Sequence, residues 1–327
     1  MARPVATPPP VAEPTIPREL LGGEAAPAAS PAAAARPPGE PRGIGYLYLL
    51  PAFVVFGLFV LFPLGHSFWL SLFNWDGLTP GTWVGFDNYV DVVSDPALRN
   101  AFVHSAVLIV FYSVLPVCIG LMLAGIVART RVRGLTFFRT VLFLPQVMAL
   151  VVVAIMWRMI YDPASGTINE VLRTIGLGSL AQDWLGDFSI ALPAVGLVGT
   201  WVMYGLAMVL FMAGVQKIPR SLYDAARVDG AGPVREFFAV TLPALRGEIG
   251  VATTLTMIAA LRNFDLIYNT TKGGPGDATS VPAYQVYDRA FQTGQVGSAA
   301  AIGLSLAIVI FLLTIGVNKL ADRAATT

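Results

Sequence analysis

The feature that most constrains this chain is a series of long stretches with few or no charged side chains. A helix needs about 20 predominantly apolar residues to cross roughly 30 Å of hydrocarbon. Six stretches approach or exceed that length, although Arg262 and Asp265 interrupt the far end of the fifth. The predicted spans are residues 44–73, 100–128, 139–161, 188–216, 248–268 and 290–318. The sequence therefore predicts an all-α integral membrane protein with six transmembrane helices.

The composition points to the same solvent. Of the 327 residues, 55% are hydrophobic and 13% are charged, whereas soluble domains carry about 25% charged residues. The formal net charge is +1, so the chain lacks the basic surface that nucleic-acid binding requires. A single cysteine excludes an internal disulfide and cannot form a zinc cage alone. We expect membrane lipid around the protein, and neither a nucleic-acid partner nor a metal or cofactor bound by this chain.

The first 43 residues differ from the rest of the chain. Residues 1–43 contain 11 of the 24 prolines and no aromatic residue, so they cannot bury enough apolar surface to offset the entropy of ordering. The prolines also interrupt the apolar core that a signal peptide needs. We predict a disordered cytoplasmic tail over 1–43, a transmembrane domain over 44–320 and a short cytoplasmic tail over 321–327.

The basic residues in the connecting loops predict the orientation, because short loops rich in lysine and arginine stay in the cytoplasm. The second and fourth connections are basic, whereas the first and third are predominantly acidic. The basic residues are Arg129, Arg131, Arg133 and Arg139 in the second connection and Lys217, Arg220, Arg227, Arg235 and Arg246 in the fourth. Tryptophan and tyrosine cluster near the predicted outer boundary, as in an aromatic belt. Both termini are therefore predicted to be cytoplasmic.

The fourth connection, residues 217–247, is unusually long and has helical signals of its own. Ser221 can cap a helix, and Asp224 follows three residues later in a capping-box arrangement. This helix is predicted to end at Gly230, because glycine takes the left-handed cap conformation without steric strain. A second helix is predicted from Pro233 to about residue 241, before the proline at 243.

The first of these two helices has the character of a docking element. Ala225 and Ala226 form a patch of small residues that another protein could approach closely, and Arg227 and Asp229 offer polar contacts. The alternative is that the alanines are good helix formers in a solvated loop.

A wider pattern around these residues resembles a known family. Asp224-Ala225-Ala226 is followed after three residues by Gly230, after nine more by Val240, and then by Leu242-Pro243. This spacing is similar to the EAA loop of binding-protein-dependent ABC importer permeases, EAA-x3-G-x9-I-x-L-P, with Asp for Glu and Val for Ile.

Further motifs carry the resemblance over about residues 44–320. They are Tyr48-Leu49-Leu50-Pro51-Ala52, Gly85-Phe86-Asp87-Asn88-Tyr89, Leu144-Pro145 and Thr271-Lys272-Gly273-Gly274-Pro275-Gly276. Together they are similar to the carbohydrate-uptake branch, and to its first permease subunit of the MalF and glycerol-phosphate-permease type.

The resemblance implies a type I ABC importer permease fold in the bacterial cytoplasmic membrane, with a coupling helix that transmits ATPase closure. The implied partners are a second permease in a heterodimer, two copies of a cytoplasmic ATPase that uses ATP and Mg, an extracytoplasmic solute-binding lipoprotein, and a sugar. The implied ATPase-coupling residues are Ser221, Asp224, Ala225, Ala226, Arg227, Asp229, Gly230, Leu242 and Pro243. No lysine here lies in a Gly-Lys-Ser/Thr phosphate-binding loop, so hydrolysis would belong to a separate subunit.

Two other functions were weighed. An ion-gradient-driven secondary transporter usually places carboxylates near the midplane. Apart from Glu248, the first residue of the fifth predicted span, Asp265 is the only carboxylate inside a predicted span, and it lies toward the outer end. An intramembrane serine hydrolase needs a facing Ser and His, but His66 and His104, the only histidines, lie near outer helix ends. No catalytic residue is predicted.

A solute path needs polar or aromatic side chains within apolar helices. The candidates are Trp201 and Tyr204 in the fourth span and Arg262, Asn263, Asp265 and Tyr268 in the fifth. The alternative is that Arg262 and Asp265 pair with each other and face the second permease, while Trp201 and Tyr204 only pack. Gln146, next to Pro145, is expected to serve backbone groups freed by a helix break.

Overall fold

The computed structural model describes residues 44–129 and 134–326. The predicted tail over 1–43, and Arg131 and Arg133 of the second connection, lie outside the described residues. The chain divides into two units with the boundary between Val60 and Leu61. In the first unit, α1 (Ile44–Phe56) leads into a π-helical turn that begins at Gly57.

The second unit is almost entirely helical. A short hairpin near its start pairs Phe73 with Trp83. The elements in chain order are α2 (Phe62–Ser71), β1 (Phe73–Asn74), β2 (Thr82–Trp83), α3 (Asp87–Ser94), α4 (Pro96–Ile109), α5 (Leu115–Arg129), α6 (Leu135–Val147), α7 (Leu150–Ile160), α8 (Thr167–Thr174), α9 (Ala191–Val215), α10 (Arg220–Val228), α11 (Pro233–Glu236), α12 (Leu242–Ala244), α13 (Arg246–Leu261), α14 (Asp265–Thr270), α15 (Pro282–Tyr287) and α16 (Val296–Thr326).

Within the described residues, four helices are long and apolar enough to cross a membrane: Tyr46–Ser71, Pro96–Val127, Ala191–Val215 and Val296–Ala321. Two bent helix pairs bring the number to six if each pair is one span. The first pair is Thr136–Val147 with Leu150–Ile160, bent by 96°, and the second is Pro233–Ala244 with Arg246–Leu261, bent by 73°. The last helix continues through residue 326, so the segment predicted as a C-terminal tail is helical as far as the structure describes it.

The third predicted span is not one straight helix. It breaks at Met148 and Ala149, whose backbones are extended with ψ of 142° and 130°. Pro145, one turn earlier, has no N–H and cannot continue the ladder of backbone hydrogen bonds. The fifth predicted span is also interrupted, because α13 ends at Leu261 and α14 begins only at Asp265.

Helix α9 lies at the centre of the packing. In its most apolar stretch 67% of the residues are buried, against 33% for Pro96–Val127 and 17% for Val296–Ala321. It packs against α5, α6 and α13. Small residues allow this close approach: a Cβ on Gly199 would clash with the buried ring of Tyr112.

The second predicted span contains a π-helical turn over Val110–Val114, where one extra residue is inserted into the α-helical ladder. Thr200 of α9 donates a hydrogen bond to the Phe111 carbonyl oxygen at 2.6 Å. Thr256 of α13 donates to the Ser113 hydroxyl at 2.8 Å. These bonds join the second, fourth and fifth predicted spans at one level. Breaking them would be costly, because it would leave a polar group unpaired in an apolar interior.

Candidate functional site

The predicted docking helix exists as α10 but begins differently from the expectation. The N-cap residue is Pro219, which makes no side-chain cap bond, and Ser221 lies exposed inside the first turn. The predicted capping box is therefore wrong. A capping side chain must sit on the last non-helical residue to reach the free N–H groups, and Ser221 is two residues too far along.

The turn after α10 agrees with the prediction. Gly230 has a φ of +74°, the left-handed region that glycine enters without strain. Its N–H donates to the Arg227 carbonyl at 3.0 Å, and the Ala231 N–H donates to the Ala226 carbonyl at 2.9 Å. These two bonds form a Schellman ending, which satisfies the last carbonyl groups of the helix.

The second helix of the loop runs further than expected. Pro233–Ala244 is one helix, so the predicted end before Pro243 is wrong. A π-helical turn over Phe237–Thr241 precedes the proline, and the Leu242 N–H donates to the Phe237 carbonyl five residues back. The wider turn shifts the carbonyl groups that a proline ring would otherwise strike.

Two side-chain contacts link the helices of this loop, and the sequence analysis missed both. The Tyr223 and Thr241 hydroxyls are 3.1 Å apart and buried. Arg227 Nε lies 3.4 Å from Oε2 of Glu236, whose side chain is only 1% exposed. Arg227 also lies 3.5 Å from Asp224. Arg227, predicted as a partner contact, is therefore engaged within the loop.

The surface of α10 that remains available combines apolar, acidic and basic side chains. Val228 is 88% exposed and Leu222 is 49% exposed, and neither was selected from the sequence. The structure places the other predicted coupling residues in two groups. Asp224, Ala225, Asp229 and Gly230 are exposed, whereas Ala226, Leu242 and Pro243 are half-buried.

The candidate path residues of the fourth span lie in α9. Trp201 is half-buried and packs edge-on against Trp157, with ring centroids 5.7 Å apart. Trp157 in turn contacts Tyr161 at 5.1 Å. This arrangement favours the packing alternative for Trp201. Tyr204 is half-buried on the same helix.

The polar candidates of the fifth span lie at or next to the break after α13. Arg262 and Asp265 are both exposed, and among the described residues no ion pair joins them. The alternative in which the two residues pair on one helix is therefore wrong, because α13 ends at Leu261 and α14 begins only at Asp265. Asn263 is 5% exposed, and its amide approaches the buried Tyr112 hydroxyl, although its Nδ2 atom completes no hydrogen bond of good geometry.

Two further buried polar atoms without a partner lie on the third predicted span, one on each side of its bend. They are Gln146 Oε1 on α6 and Trp157 Nε1 on α7. The Gln146 oxygen therefore does not accept from a freed backbone N–H, contrary to the expectation for this residue. Unpaired buried polar atoms are few in native proteins and call for an explanation. Among the described residues, three of the five such atoms lie at or beside the two helix breaks, and the other two, Ser105 Oγ and Thr314 Oγ1, lie on α4 and α16.

Tyr268 belongs to a group of aromatic side chains that the sequence analysis did not assemble. Its ring centroid lies 5.2 Å from that of Phe264 and 5.0 Å from that of Tyr287. Tyr287 contacts Phe291 at 5.5 Å. The signal available in the sequence was the spacing of four residues within each pair, 264 with 268 and 287 with 291, which places each pair on one helical face.

This chain is similar to a known protein family, to individual relatives and to a solved structure. A family model described as a binding-protein-dependent transport system inner membrane component matches residues 116–326. The probable ABC transporter permease protein YurN of Bacillus subtilis is 39% identical over 83% of this chain and 94% of its own length. The diacetylchitobiose uptake system permease protein NgcF of Streptomyces coelicolor is 33% identical over 81% of this chain and 79% of its own length. A solved bacterial alginate ABC transporter, in complex with an alginate pentasaccharide-bound periplasmic protein, matches with a TM-score of 0.72 at 22% identity, covering 87% of this chain and 96% of the other.

Proposed function

Because the chain belongs to the family of binding-protein-dependent transport system inner membrane components, we propose that it is the permease subunit of an ATP-driven importer for a sugar or a sugar-like solute. The match to the alginate transporter confirms the predicted type I permease fold. The name of NgcF as a diacetylchitobiose uptake permease supports the choice of a carbohydrate. The family name itself supports a solute-binding protein as the partner that delivers the solute.

The remaining partners follow from how such a subunit could work. A second permease completes the channel, and two copies of a cytoplasmic ATPase bind ATP and Mg. The protein crosses the bacterial cytoplasmic membrane several times, with both termini in the cytoplasm. The basic second and fourth connections support this orientation.

The observation that carries the coupling proposal is the way α10 is joined to the membrane helices. The Tyr223–Thr241 and Arg227–Glu236 contacts fasten α10 to the helix Pro233–Ala244. That helix bends at Leu245, which is fully buried, and continues as α13. A displacement of α10 by a closing ATPase pair would therefore move the fifth span directly, as in a shear or hinge transition.

The solute would cross between the two permeases, past the break that follows α13. Arg262, Asn263 and Asp265 supply donors and acceptors there, and Tyr268 supplies a ring. The Asn263 amide is buried at the break and approaches the Tyr112 hydroxyl without a complete hydrogen bond, and its remaining hydrogen-bonding capacity supports a role in binding solute hydroxyl groups. Tyr204 on α9 stays proposed as a path residue, whereas the contact of Trp201 with Trp157 favours a packing role for that ring.

The test targets the turn at Gly230. Replacement by valine forces a β-branched residue into the left-handed region, which costs about 1–2 kcal/mol, while no other group lies within 4 Å of the added Cβ. We expect Gly230→Val to lose sugar uptake at least about tenfold, measured in proteoliposomes containing the whole transporter, with stimulation of ATP hydrolysis by loaded binding protein recorded in parallel.

Two matched variants control for bulk and position. Gly230→Asn keeps access to the left-handed region and should retain most uptake. Gly232→Val adds the same side chain where φ is −71° and no group lies within 4 Å, and it should be mild. Full uptake by Gly230→Val would contradict the coupling role of the loop. Uptake that persists without ATP and collapses with the proton gradient would replace the whole proposal with an ion-coupled carrier.

A further inference from the structure

An open groove lies between α5 and the second loop helix, Pro233–Ala244. It encloses about 540 Å³, within the range of roughly 300–1,000 Å³ found for sites that hold small organic ligands. Residues 118–126 of α5 supply one wall and the second loop helix supplies the other. Where the walls meet, the helices touch, because a Cβ on Gly125 would come within 2.8 Å of the Phe237 ring. The groove therefore lies against the helix to which α10 is fastened.

The lining of the groove is suited to hydrocarbon. None of the side chains that line it carries a nitrogen or oxygen atom. The side chains at its rim are bulky and each is at least 54% exposed, namely Met122, Ile126, Val234 and Phe238. Helices have no hydrophobic drive to associate in lipid, so their interfaces depend on small residues and polar groups. This rim supplies neither, which favours an alkyl chain over a helix of the second permease as the occupant.

One side of the groove carries positive charge. Arg235 is exposed and lies three residues before Phe238 of the rim, a spacing that makes two side chains neighbours on a helix. Within the described residues no ion pair involves Arg235. The adjacent carboxylate of Glu236 is buried against Arg227, so it does not offset the exposed guanidinium. α5 ends at a second arginine, Arg129, about one helical turn beyond the groove. Basic side chains beside a cleft between membrane helices are typical of sites for acidic lipid headgroups.

We propose that this groove binds one acyl chain of an anionic phospholipid from the cytoplasmic leaflet, with the headgroup at Arg235. The inference rests on the proposed function for the orientation of the groove in the membrane. The alkyl chain buries apolar surface against Met122 and Phe238. The lipid phosphate accepts charge-assisted hydrogen bonds from the guanidinium. The bound chain lies against both α5 and the second loop helix.

The test uses the whole transporter in nanodiscs of phosphatidylcholine and photo-crosslinking as the binding measurement. The probe is phosphatidylglycerol with a diazirine on one acyl chain, present as a small fraction of the lipid. Phosphatidylcholine with the same diazirine is the control probe. We expect the anionic probe to label peptides from residues 118–126 and 233–242, as identified by mass spectrometry. Unmodified phosphatidylglycerol should compete with this labelling, whereas phosphatidylcholine should not.

Two substitutions separate the charge from the groove, each with a matched control. Arg235→Gln should lower labelling by the anionic probe by about threefold to tenfold and leave the control probe unchanged. Arg220→Gln removes an exposed arginine from the start of α10, outside the groove, and should have no effect. Met122→Trp fills the groove and should lower labelling by both probes. Met159→Trp adds the same bulk on α7, where Met159 is 71% exposed, and should leave labelling intact.

Three results would overturn the lipid site. They are absence of labelled groove peptides, equal labelling by the two probes, and labelling that is insensitive to Arg235→Gln. ATP-dependent sugar uptake in proteoliposomes distinguishes this inference from the proposed function. If the groove is not labelled but a sugar is imported, the lipid site alone is wrong. If the groove is labelled but no sugar is imported with ATP, the proposed function is wrong.

Discussion

Helix α9 and the fifth span differ in how their backbone hydrogen-bonding groups are satisfied. α9 runs unbroken for 25 residues with small residues at its contacts, so its backbone is satisfied internally and its surface can be packed tightly. The fifth span stops at Leu261, turns through residues 262–264 and restarts as α14. A broken helix is tolerated inside a membrane only where protein or water meets its free backbone groups. The difference indicates that α9 is the scaffold, and solute binding at the break is what we propose.

The largest expected effect comes from disturbing the scaffold. Gly199→Ala places a methyl group against the ring of Tyr112, which is 3% exposed and has no room to move. Overpacking of this kind costs about 1–3 kcal/mol or more. We expect the melting temperature in detergent and sugar uptake to fall together.

Gly316→Ala is the matched control for this substitution. It makes the same change on α16, where nothing lies within 4 Å of the added group, and alanine favours the helix there. An unchanged melting temperature for Gly199→Ala would remove the distinction between scaffold and path.

The opposite signature is expected at the break. Asn263→Leu replaces a buried amide, which approaches the Tyr112 hydroxyl without a complete hydrogen bond, with an apolar side chain of similar size. Loss of this weak contact should cost no more than about 1 kcal/mol of stability. Sugar uptake should nevertheless fall about tenfold, because a solute contact is lost. Melting temperature and uptake, measured on the same preparation, then move apart, and parallel losses would make Asn263 a structural residue.

Asn318→Leu controls for the change of residue type. Asn318 is exposed on α16 and accepts a hydrogen bond from Thr254 at 3.2 Å. It lies outside the proposed path, so uptake by this variant should stay near that of the unaltered protein.

The smallest effect is expected where α9 begins. Hydrogen bonds from the Ser189 hydroxyl and N–H, and from the Ile190 N–H, lower the pKa of the Asp187 carboxyl below its ordinary value. The stabilisation is present above the unfolded carboxyl pKa of about 3.9 and is lost as the pH falls through the lower folded value. Asp187→Asn should slightly speed deuterium exchange of the amides at 189 and 190 at neutral pH. A difference from the unaltered protein that persists below pH 3 would argue against this origin.

Hydropathy located the spans because hydrocarbon thickness sets their length. The bounds of α9 agree with the predicted span to within three residues, whereas α16 begins six residues later and ends eight residues later than its predicted span. The breaks in the third and fifth spans could be predicted from the sequence only in part. Arg262 and Asp265 indicated that the fifth span is interrupted. The alternative in which the two residues pair assumed a continuous helix. Pro145 preceded the bend in the third span, yet a proline in a membrane helix often only kinks it. The bend angle of 96° depends on neighbouring helices.

Prediction from the sequence was also only partly successful for the loop over residues 217–247. The left-handed turn at Gly230 was predictable because it depends on one residue and its backbone. The Tyr223–Thr241 contact joins residues 18 positions apart, and no local spacing marks it. The π-helical turn before Pro243 was not predicted either, although the proline that it accommodates is visible in the sequence.

The π-helical turn at Val110–Val114 also sets the phase of the second span. One inserted residue rotates everything after it by about 100° relative to an unbroken α-helix. Val117, Gly120 and Ala124 are buried only because of that offset. Deleting a single residue in the turn would keep the length and hydrophobicity of the helix almost intact, yet it would swing this small-residue stripe away from α9 and toward lipid. In this span, the number of residues in the turn, rather than their chemistry, determines which helix face meets the protein interior.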